Sequence, residues 1–275
     1  MADFENDDLL SLGKVSEVPN QYDPKLLYLI PRSQARESLP KEKDPVAPFY
    51  GEDIWTAYEL SWLDLRGKPV VAIAKFHIPC DSACIVESKS LKLYLNSFYL
   101  YRAESPQEIR RLLSADLDRA LDCEVDIELC SVDGSHGITD LAGQCLDQLE
   151  VTINCFEINS QLLKSGGGQS SEVLYSHLLR STCPVTGQPD WGSVIIKYRG
   201  QSIDHKSLLA YLVSFRDHQG FHEQCVERIY LDLQQTFRLD YLSVYARYLR
   251  RGGLDINPYR SSEDDRAPLW RLSRQ

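Results

Sequence analysis

A cysteine and an aspartate lie seven residues apart in the segment STCPVTGQPDW at residues 181–191. Pro184 and Gly187 punctuate the residues between them, which predicts a short turn with Cys183 and Asp190 at its two ends. The thiolate of cysteine is a nucleophile, and a partly buried carboxylic acid can accept its proton and return it. The segment is therefore a candidate for covalent catalysis. The alternative is a small buried cysteine beside an ordinary turn aspartate.

A second polar pair, His222 and Glu223, stands immediately before an apolar pattern with helical spacing. A glutamate can accept two N–H hydrogen bonds from an amidine-like ring edge such as that of guanine. It is also favoured by the positive end of a helix, which would explain Glu223 without any ligand. Both interpretations stay open on the sequence alone.

The segment ESKS at residues 87–90 also stands at a predicted helix start. Glu87 would contact a ligand there, while Lys89 and Ser90 would meet a phosphate at the positive end of the helix. An ordinary helix cap with surface charge is the alternative. Lys89 opposes the helix dipole in the first turn, which mildly favours a role in binding charge.

Two adjacent arginines and two glycines form the segment RRGG at residues 250–253, after a predicted strand. They could be a strand-ending turn. They could also be a phosphate clamp, in which Arg251 and Gly252 select a phosphorylated dinucleotide. No GxGxxG segment follows a strand, so a Rossmann cofactor domain is not expected.

Composition limits the classes of function. The net charge of −10 over 275 residues argues against a protein that holds nucleic acid through its phosphates. No apolar run approaches the ~18 residues of a membrane span, and no apolar leader opens the chain. We therefore expect a cytoplasmic protein with reduced thiols. Cys80 and Cys84 are four residues apart, but no second Cys/His pair stands at zinc spacing to complete them, so no metal site is expected.

Alternating and helical apolar patterns predict a mixed chain behind an N-terminal arm at residues 1–48. The first group of elements is a strand hairpin at 54–79, helices beginning near residues 87 and 105, and strands at 125–129 and 151–155. A glycine-rich linker, SGGGQSS, is predicted at 165–171. The second group is strands at 173–182 and 193–199, a helix capped by Asp204, a helix over 226–237 and a strand at 242–248.

The two groups are copies of one unit. KSLKLYLNSF at 89–98 and KSLLAYLVSF at 206–215 share seven of ten residues at an offset of 117. The sequence therefore predicts an α+β protein with a first unit at 49–164 and a second at 165–275, each an antiparallel sheet backed by two helices. Each copy keeps a polar set that the other lacks, which indicates one shared working site.

Four segments together resemble the long, tandem form of the NADPH-dependent 7-cyano-7-deazaguanine reductases, the nitrile reductases of queuosine biosynthesis. These segments are ESKSLKLYLNSF, CPVTGQPDWG, FHEQCVERI and SVYARYLRRGGLDINP. The resemblance covers about residues 49–260. It implies the tunnelling fold (T-fold), in which such units associate edge to edge. It also implies reduction of the substrate's nitrile to a primary amine with two NADPH.

The resemblance also implies roles for the polar residues. Cys183 would add to the nitrile carbon as a thioimide, and Asp190 would supply the proton. The substrate would be bound by Glu87, Ser88, Lys89, His222 and Glu223, and NADPH by Lys89, Ser90, Arg251 and Gly252.

Two other functions stay open beside the reductase. One is a pterin- or purine-transforming enzyme of the same fold, which would want a metal or a hydrolytic histidine. The other is a non-catalytic purine-binding module, which would not need Cys183 with Asp190. A homodimer is expected because such sheets leave exposed edges, and neither nucleic acid nor a membrane is expected as a partner.

Overall fold

The computed structural model describes residues 21–40, 49–134 and 137–275. Within them the chain forms two compact units that interleave along the sequence. Unit 1 contains residues 21–37, 53–134 and 250–256, and unit 2 contains residues 38–40, 49–52, 137–249 and 257–275. The predicted arm at 1–48 lies largely outside the described residues, but its residues 21–37 are part of unit 1.

Unit 1 begins with a short 3₁₀ helix, Pro24–Leu26, and ends its main stretch with a sheet strand. Its elements are β1 (Leu29–Pro31), α1 (Arg32–Arg36), β2 (Tyr50–Leu63, of which residues 53 onward belong here), β3 (Pro69–Pro79), β4 (Cys84–Val86), α2 (Ser88–Asn96), α3 (Pro106–Leu121) and β5 (Asp126–Cys130). The strand order is β5-β3-β2, and β1 pairs with β4 antiparallel.

The core of unit 1 lies between this sheet and its two long helices. The predicted apolar face of α2 is buried, as are the apolar residues of α3 and the inward side chains of β2 and β3. Ser105 caps α3 by accepting a hydrogen bond from the Glu108 N–H, with Pro106 as the first helical residue. The predicted hairpin, helices and third strand are confirmed here.

Unit 2 repeats this plan with longer strands. Its elements are β6 (Gln144–Cys145), a 3₁₀ helix (Ser160–Leu162), β7 (Ser165–Thr182), β8 (Pro189–Ile203), α4 (His205–Val213), a 3₁₀ helix (Ser214–Asp217), α5 (His222–Thr236), β9 (Leu239–Tyr248) and β10 (Leu254–Ser261, of which residues 257 onward belong here). The strand order is β10-β9-β8-β7-β6, antiparallel except for the parallel β6–β7 pair.

The glycine-rich linker predicted at 165–171 is wrong, because these residues form the start of β7. Ser165 pairs with Ile203 and Gln169 with Gln201, and a bulge separates the two pairs. Gly167 and Gly168 have φ of +85° and +76°, which other residues rarely adopt. The glycines therefore serve a β-bulge rather than a flexible connection.

Two other strand predictions differ from the structure. Residues 151–155 alternate in polarity but form no strand, and their side chains are only half-buried or exposed. Strand β10 was not predicted, because LDINPYRS reads as a turn-rich segment. Its polar residues are satisfied by distant partners: Asp255 accepts a hydrogen bond from the Tyr58 hydroxyl, and Asn257 from the Tyr248 N–H.

The internal contacts of the two units support the repeat. The residue that caps α2 or α4 donates its backbone N–H to an earlier segment of its own unit. Glu87 N donates to Tyr28 O in unit 1, and Asp204 N donates to Lys164 O in unit 2, both at 2.9 Å. Within each helix pair, a tyrosine donates to a buried aspartate at 2.7 Å, Tyr94 to Asp116 and Tyr211 to Asp232. Residue 28 and residue 164 lie within corresponding segments, so part of the expected arm belongs to the first copy.

The aspartates also correct the alignment of the second helices. Asp116 and Asp232 differ by 116 positions, as do the first residues of α3 and α5. His222 and Glu223 therefore correspond to Pro106 and Gln107, one position later than a constant offset of 117 implies. The shift arises from one residue fewer between the two helices of unit 2.

Candidate active site

The turn that carries Cys183 is closed by hydrogen bonds between its own backbone groups. Strands β7 and β8 pair up to Thr182 and Pro189. Beyond this pair, Cys183 N donates to Gln188 O at 2.8 Å, and Gly187 N donates to Cys183 O at 2.9 Å. The turn predicted from Pro184 and Gly187 is therefore confirmed, and it fixes the backbone of the cysteine.

The same pairing sets Cys183 and Asp190 on one face of the sheet. Asp190 is the partner of Ser181, and Cys183 follows Ser181 by two residues, so all three side chains point the same way. Cys183 and Asp190 are then diagonal neighbours, roughly 7 Å apart. Both are buried, with 6% and 7% of their surface exposed.

His222 lies against the aspartate. Its Nε2 is 3.4 Å from an Asp190 carboxylate oxygen, and its ring stacks on Tyr248 with centroids 3.8 Å apart and planes 4° apart. The start of α5 positions the ring, because Gln224 reaches back to accept a hydrogen bond from the Phe221 N–H. Asp190, His222 and Tyr248 therefore form one ordered stack of side chains.

The floor of this site is a buried cysteine that sequence reasoning did not select. Cys225 is fully buried on α5, beside the hydroxyls of Ser181 and Tyr248. Burial raises the pKa of the Cys225 thiol to about 12, and Asp190 and Glu223 add to the shift while the two hydroxyls oppose it. Burial also raises the pKa of Tyr248 well above its usual range. Cys225 is therefore a neutral thiol, whereas a nucleophilic cysteine reacts as the thiolate.

Glu223 is buried in the first turn of α5, with 5% of its surface exposed. The helix start favours its carboxylate form. Because it lies one residue after His222 and acts electrostatically on Cys225, it belongs to the same cluster. The predicted pair thus lies with Cys183 and Asp190 in unit 2.

The loop before α5 holds the end of β7. Thr182 N donates to His218 O at 2.8 Å, and Gly220 N donates to Thr182 O at 3.1 Å. Burial, together with the nearby Arg228 charge, lowers the pKa of His218 to about 4. A neutral His218 therefore sits next to the residue that precedes Cys183.

In unit 1 the residues of the ESKS segment hydrogen-bond to one another at the start of α2. Glu87 is the N-cap of α2, and its two carboxylate oxygens accept from Lys89 N and Ser90 N, both at 2.8 Å. Ser90 is buried, and its hydroxyl donates to Glu87 O at 2.7 Å and accepts from Tyr28 N at 3.0 Å. Ser88 and Lys89 are half-buried.

The arginine–glycine turn of unit 1 packs against α2. Gly252 has a φ of +60°, and a Cβ atom there would lie 3.1 Å from Lys92 Nζ. The Arg250 guanidinium lies over the Tyr58 ring at 4.1 Å from its centroid. Lys92, which the sequence analysis did not select, therefore joins Arg250 and Arg251. With Lys89 one helical turn away, these residues form a cationic cluster: Lys89, Lys92, Arg250 and Arg251.

This cationic cluster fits a phosphorylated cofactor. Lys92 on α2 lies beside the backbone of Gly252, and Arg250 and Arg251 directly precede that glycine in the chain. In the part of the chain that the structure describes, no helix combines the length and the apolar composition needed to cross a membrane.

Known proteins match the chain along its whole length. Residues 18–129 match the family described as nitrile reductase, 7-cyano-7-deazaguanine-reductase N-terminal, and residues 189–267 match the QueF-like protein family. Curated relatives named NADPH-dependent 7-cyano-7-deazaguanine reductase include one from Colwellia psychrerythraea, 48% identical over 100% of both chains. Another, from Desulfotalea psychrophila, is 47% identical over 97% of both. With two family matches and full-length relatives at this identity, the chain belongs to the 7-cyano-7-deazaguanine reductase (QueF) family of nitrile reductases.

Proposed function

We propose that this protein reduces the nitrile of 7-cyano-7-deazaguanine to the primary amine of 7-aminomethyl-7-deazaguanine, with NADPH as reductant. The full-length similarity to reductases of that name supports the reaction. The observation that carries the mechanism is the buried arrangement of Cys183 and Asp190 on one sheet face, with His222 at 3.4 Å from the aspartate. The pathway served is queuosine biosynthesis.

The first step is addition of the Cys183 thiol to the nitrile carbon. The S–H bond breaks, an S–C bond forms, and the proton passes to the nitrile nitrogen, which gives a thioimide. A nitrile carbon is electrophilic but poorly activated, and covalent addition converts it to a C=N group that accepts hydride more readily. The diagonal separation of Cys183 and Asp190, roughly 7 Å, leaves room for the nitrile between them.

Asp190 moves the proton in this step. Its carboxylate accepts the thiol proton and delivers it to the nitrogen that develops negative charge. His222, held by its stack on Tyr248, keeps the carboxylate oriented. When bound, NADPH supplies one hydride per molecule, so two molecules and two protons complete the reduction. Cys183 leaves as thiolate between the two reductions and takes up a proton for the next turnover.

Substrate recognition is proposed for two groups of residues. Glu223, with His222, would accept the N–H groups of the guanine-like ring edge. Its position supports this role, because Glu223 directly follows His222 and acts electrostatically on Cys225, as Asp190 does. Glu87, Ser88 and Lys89 are proposed as further substrate contacts. Glu87 would act while also capping α2, since each carboxylate oxygen has more than one acceptor site.

Cofactor binding is proposed for the cationic cluster of unit 1. Arg251 and Gly252 would meet a phosphate of NADPH together with Lys89, and Lys92 joins them on the same helix. Ser90 was expected to bind the cofactor as well. Its hydroxyl already contacts Tyr28 and Glu87, so we propose that it acts by holding the helix start.

We also propose that the two copies, predicted at 49–164 and 165–275, adopt the T-fold arrangement. The protein is further proposed to be a cytoplasmic homodimer without a nucleic-acid partner. The α+β content and antiparallel strands of both units support the T-fold. Strands β5 and β6 end the strand orders of their units, and association is proposed because such sheet edges offer unpaired backbone groups.

Mass spectrometry of the intact protein with the nitrile substrate alone tests the thioimide. We expect one adduct per chain in the wild type and in Cys155→Ala, a control at a half-buried cysteine of the same unit. Cys183→Ala should form none and should leave NADPH absorbance unchanged during turnover assays. An adduct on Cys183→Ala would remove the nucleophile, and a wild type that never oxidises NADPH would remove the reaction itself.

A further inference from the structure

A second cluster of ionisable side chains lies in unit 2 on strands β6 and β7. Cys145, Asp147 and His177 each offer one ligand atom, and these atoms all lie within 4.8 Å of one another. Cys145 pairs with Tyr175 in the parallel β6–β7 ladder, and His177 follows two residues later. The three residues are half-buried and therefore accessible from solvent. The mechanism proposed above uses none of them.

The backbone of β7 is irregular at this point. The β7–β8 register is continuous from Gln169 to Ser176 and resumes at Leu179, so His177 and Leu178 lie in a bulge. Bulges redirect side chains and are common near functional sites. Here His177 is on the side of β7 that β6 covers, which brings it to Cys145 and Asp147.

Hydrogen bonds hold two members of the cluster in place. Asp147 accepts from Ser176 Oγ at 2.6 Å and from His177 N at 3.0 Å. His177 Nδ1 lies 2.7 Å from Ser193 Oγ, which also accepts from Arg274 Nη2 at 3.2 Å. When Nδ1–H is donated to Ser193, Nε2 carries the lone pair that a metal needs. Metal-binding histidines commonly have such a partner on the second nitrogen, and metal-binding carboxylates are hydrogen-bonded in the same way.

We propose that Cys145, Asp147 and His177 bind one Zn²⁺ ion per chain. Thiolate and imidazole ligands favour Zn²⁺ over Mg²⁺ or Ca²⁺, which prefer oxygen ligands. Ligand atoms around a tetrahedral zinc are roughly 3.5 Å apart, so the three side chains need to approach by about 1 Å. Water would complete the coordination.

The site ties a short strand to the strand that carries the nucleophile. β6 has two residues, and the connection from residue 137 to residue 143 that precedes it is irregular. A metal bound by two residues of the β6 region and one of β7 would fix this connection to the sheet. The ion would stabilise the fold of unit 2 without touching the substrate.

Zinc binding to the full-length protein tests this proposal. After removal of metal with a chelator, calorimetric titration with Zn²⁺ should show one ion per chain. Cys145→Ser, Asp147→Asn and His177→Gln should each weaken binding at least tenfold. With Co²⁺ as a spectroscopic probe, the thiolate charge-transfer band should be present in the wild type and absent in Cys145→Ser. Zn²⁺ should also raise the thermal unfolding midpoint of the wild type but not of the three variants.

Matched cysteine variants separate this site from the active site. Cys155→Ala and Cys183→Ala should bind Zn²⁺ as the wild type does. Loss of binding in Cys183→Ala would move the ion to the active-site thiol and overturn the proposal, as would wild-type binding in Cys145→Ser. Circular dichroism of the metal-free variants checks that each one folds. A folded wild-type protein that binds no stoichiometric Zn²⁺ would also overturn it.

Discussion

The corresponding helices of the two units, α2 and α4, begin with the same contacts although their cap residues differ. Glu87 caps α2 and Asp204 caps α4. In both helices the serine three residues later donates to the cap carbonyl oxygen at 2.7 Å and accepts from the preceding backbone segment at 3.0 Å. Contacts present in both copies, in one of which no ligand is proposed, belong to the scaffold.

The second helices begin differently. In unit 1, Ser105 caps α3 and Pro106 follows. In unit 2, Phe221 has no side-chain acceptor, and His222 and Glu223 open α5 as buried or nearly buried polar residues. One copy therefore closes its helix start with a standard cap, whereas the other places ionisable groups there. The difference supports the proposal that the thiol chemistry belongs to unit 2, whereas the contacts shared by α2 and α4 hold the helix starts in both units.

Asp190→Asn gives the largest effect that this comparison predicts. The amide keeps the size of the carboxylate but cannot carry the thiol proton, so turnover should fall by roughly 10² to 10⁴. Substrate binding should remain. Stopped-flow or steady-state NADPH oxidation measures kcat, and the exposed Asp240→Asn serves as the control. Wild-type turnover in Asp190→Asn would remove the proton-transfer role from unit 2.

Charge reversal at corresponding lysines tests whether the cationic cluster is specific to unit 1. Lys89 and Lys206 occupy the same place in α2 and α4. A glutamate in the first turn suits the helix dipole, so neither variant should be destabilised by that effect. Lys89→Glu should raise the KM for NADPH by about tenfold or more, because a tenfold change corresponds to about 1.4 kcal/mol and charged contacts are of this size.

Lys206→Glu should leave the KM for NADPH unchanged. Equal changes in the two variants would indicate a general effect of net charge rather than a cofactor contact. If Lys89→Glu raised the KM for the nitrile alone, the lysine would belong to the substrate contacts and not to the clamp.

The buried tyrosine–aspartate pairs should contribute equally to the free energy of unfolding in the two units. Tyr94→Phe and Tyr211→Phe each remove a donor from a buried carboxylate, which costs about 1–3 kcal/mol. Asp116 keeps Tyr22 as a donor and Asp232 keeps Arg228, so neither carboxylate is left alone. Urea denaturation measures the free energy of unfolding. A loss of turnover in the folded Tyr94→Phe variant alone would show that this pair does more than support its helices.

The helices of this protein could be predicted because their signals are local. The spacing of apolar residues predicts the buried face of α2. Ser105 and Asp204 mark helix starts, because their side chains accept hydrogen bonds from the backbone N–H groups three residues later. Failures occur where a distant residue decides the structure. Strand β10 is polar in sequence, but Asp255 and Asn257 find partners on other strands.

The residues of the candidate active site also fall into those that the sequence could predict and those that it could not. Cys183, Asp190 and His222 could be selected because reactive side chains near turns and helix starts are visible in the sequence. Tyr248 and Cys225 could not, since each lies in an apolar pattern that is typical of a core. Their part in the site depends on the packing of α5 against the sheet. Likewise, Cys145 and His177 are 32 positions apart and come together only through the parallel β6–β7 pair.

The loop that supports the catalytic turn should give unit 2 a small dependence of stability on pH. Unfolded histidine has a pKa near 6.5, whereas burial lowers the pKa of His218 to about 4 in the folded protein. Between pH 6.5 and 4, His218 is therefore protonated in the unfolded chain but mostly neutral in the folded protein. The contribution of His218 to stability is complete above pH 6.5 and is lost progressively as the pH falls toward 4. Since the side chain is partly exposed, the loss at pH 5 should be about 1 kcal/mol.

His218→Asn should flatten this part of the profile of unfolding free energy against pH, because asparagine does not titrate. The main-chain contact would remain, since Thr182 N donates to the backbone oxygen of residue 218. His77→Asn, the same substitution in unit 1, serves as the control. An unchanged slope in His218→Asn would contradict burial of a neutral imidazole at this loop. A loss of slope in both variants would place the pH dependence in the whole protein rather than beside Cys183.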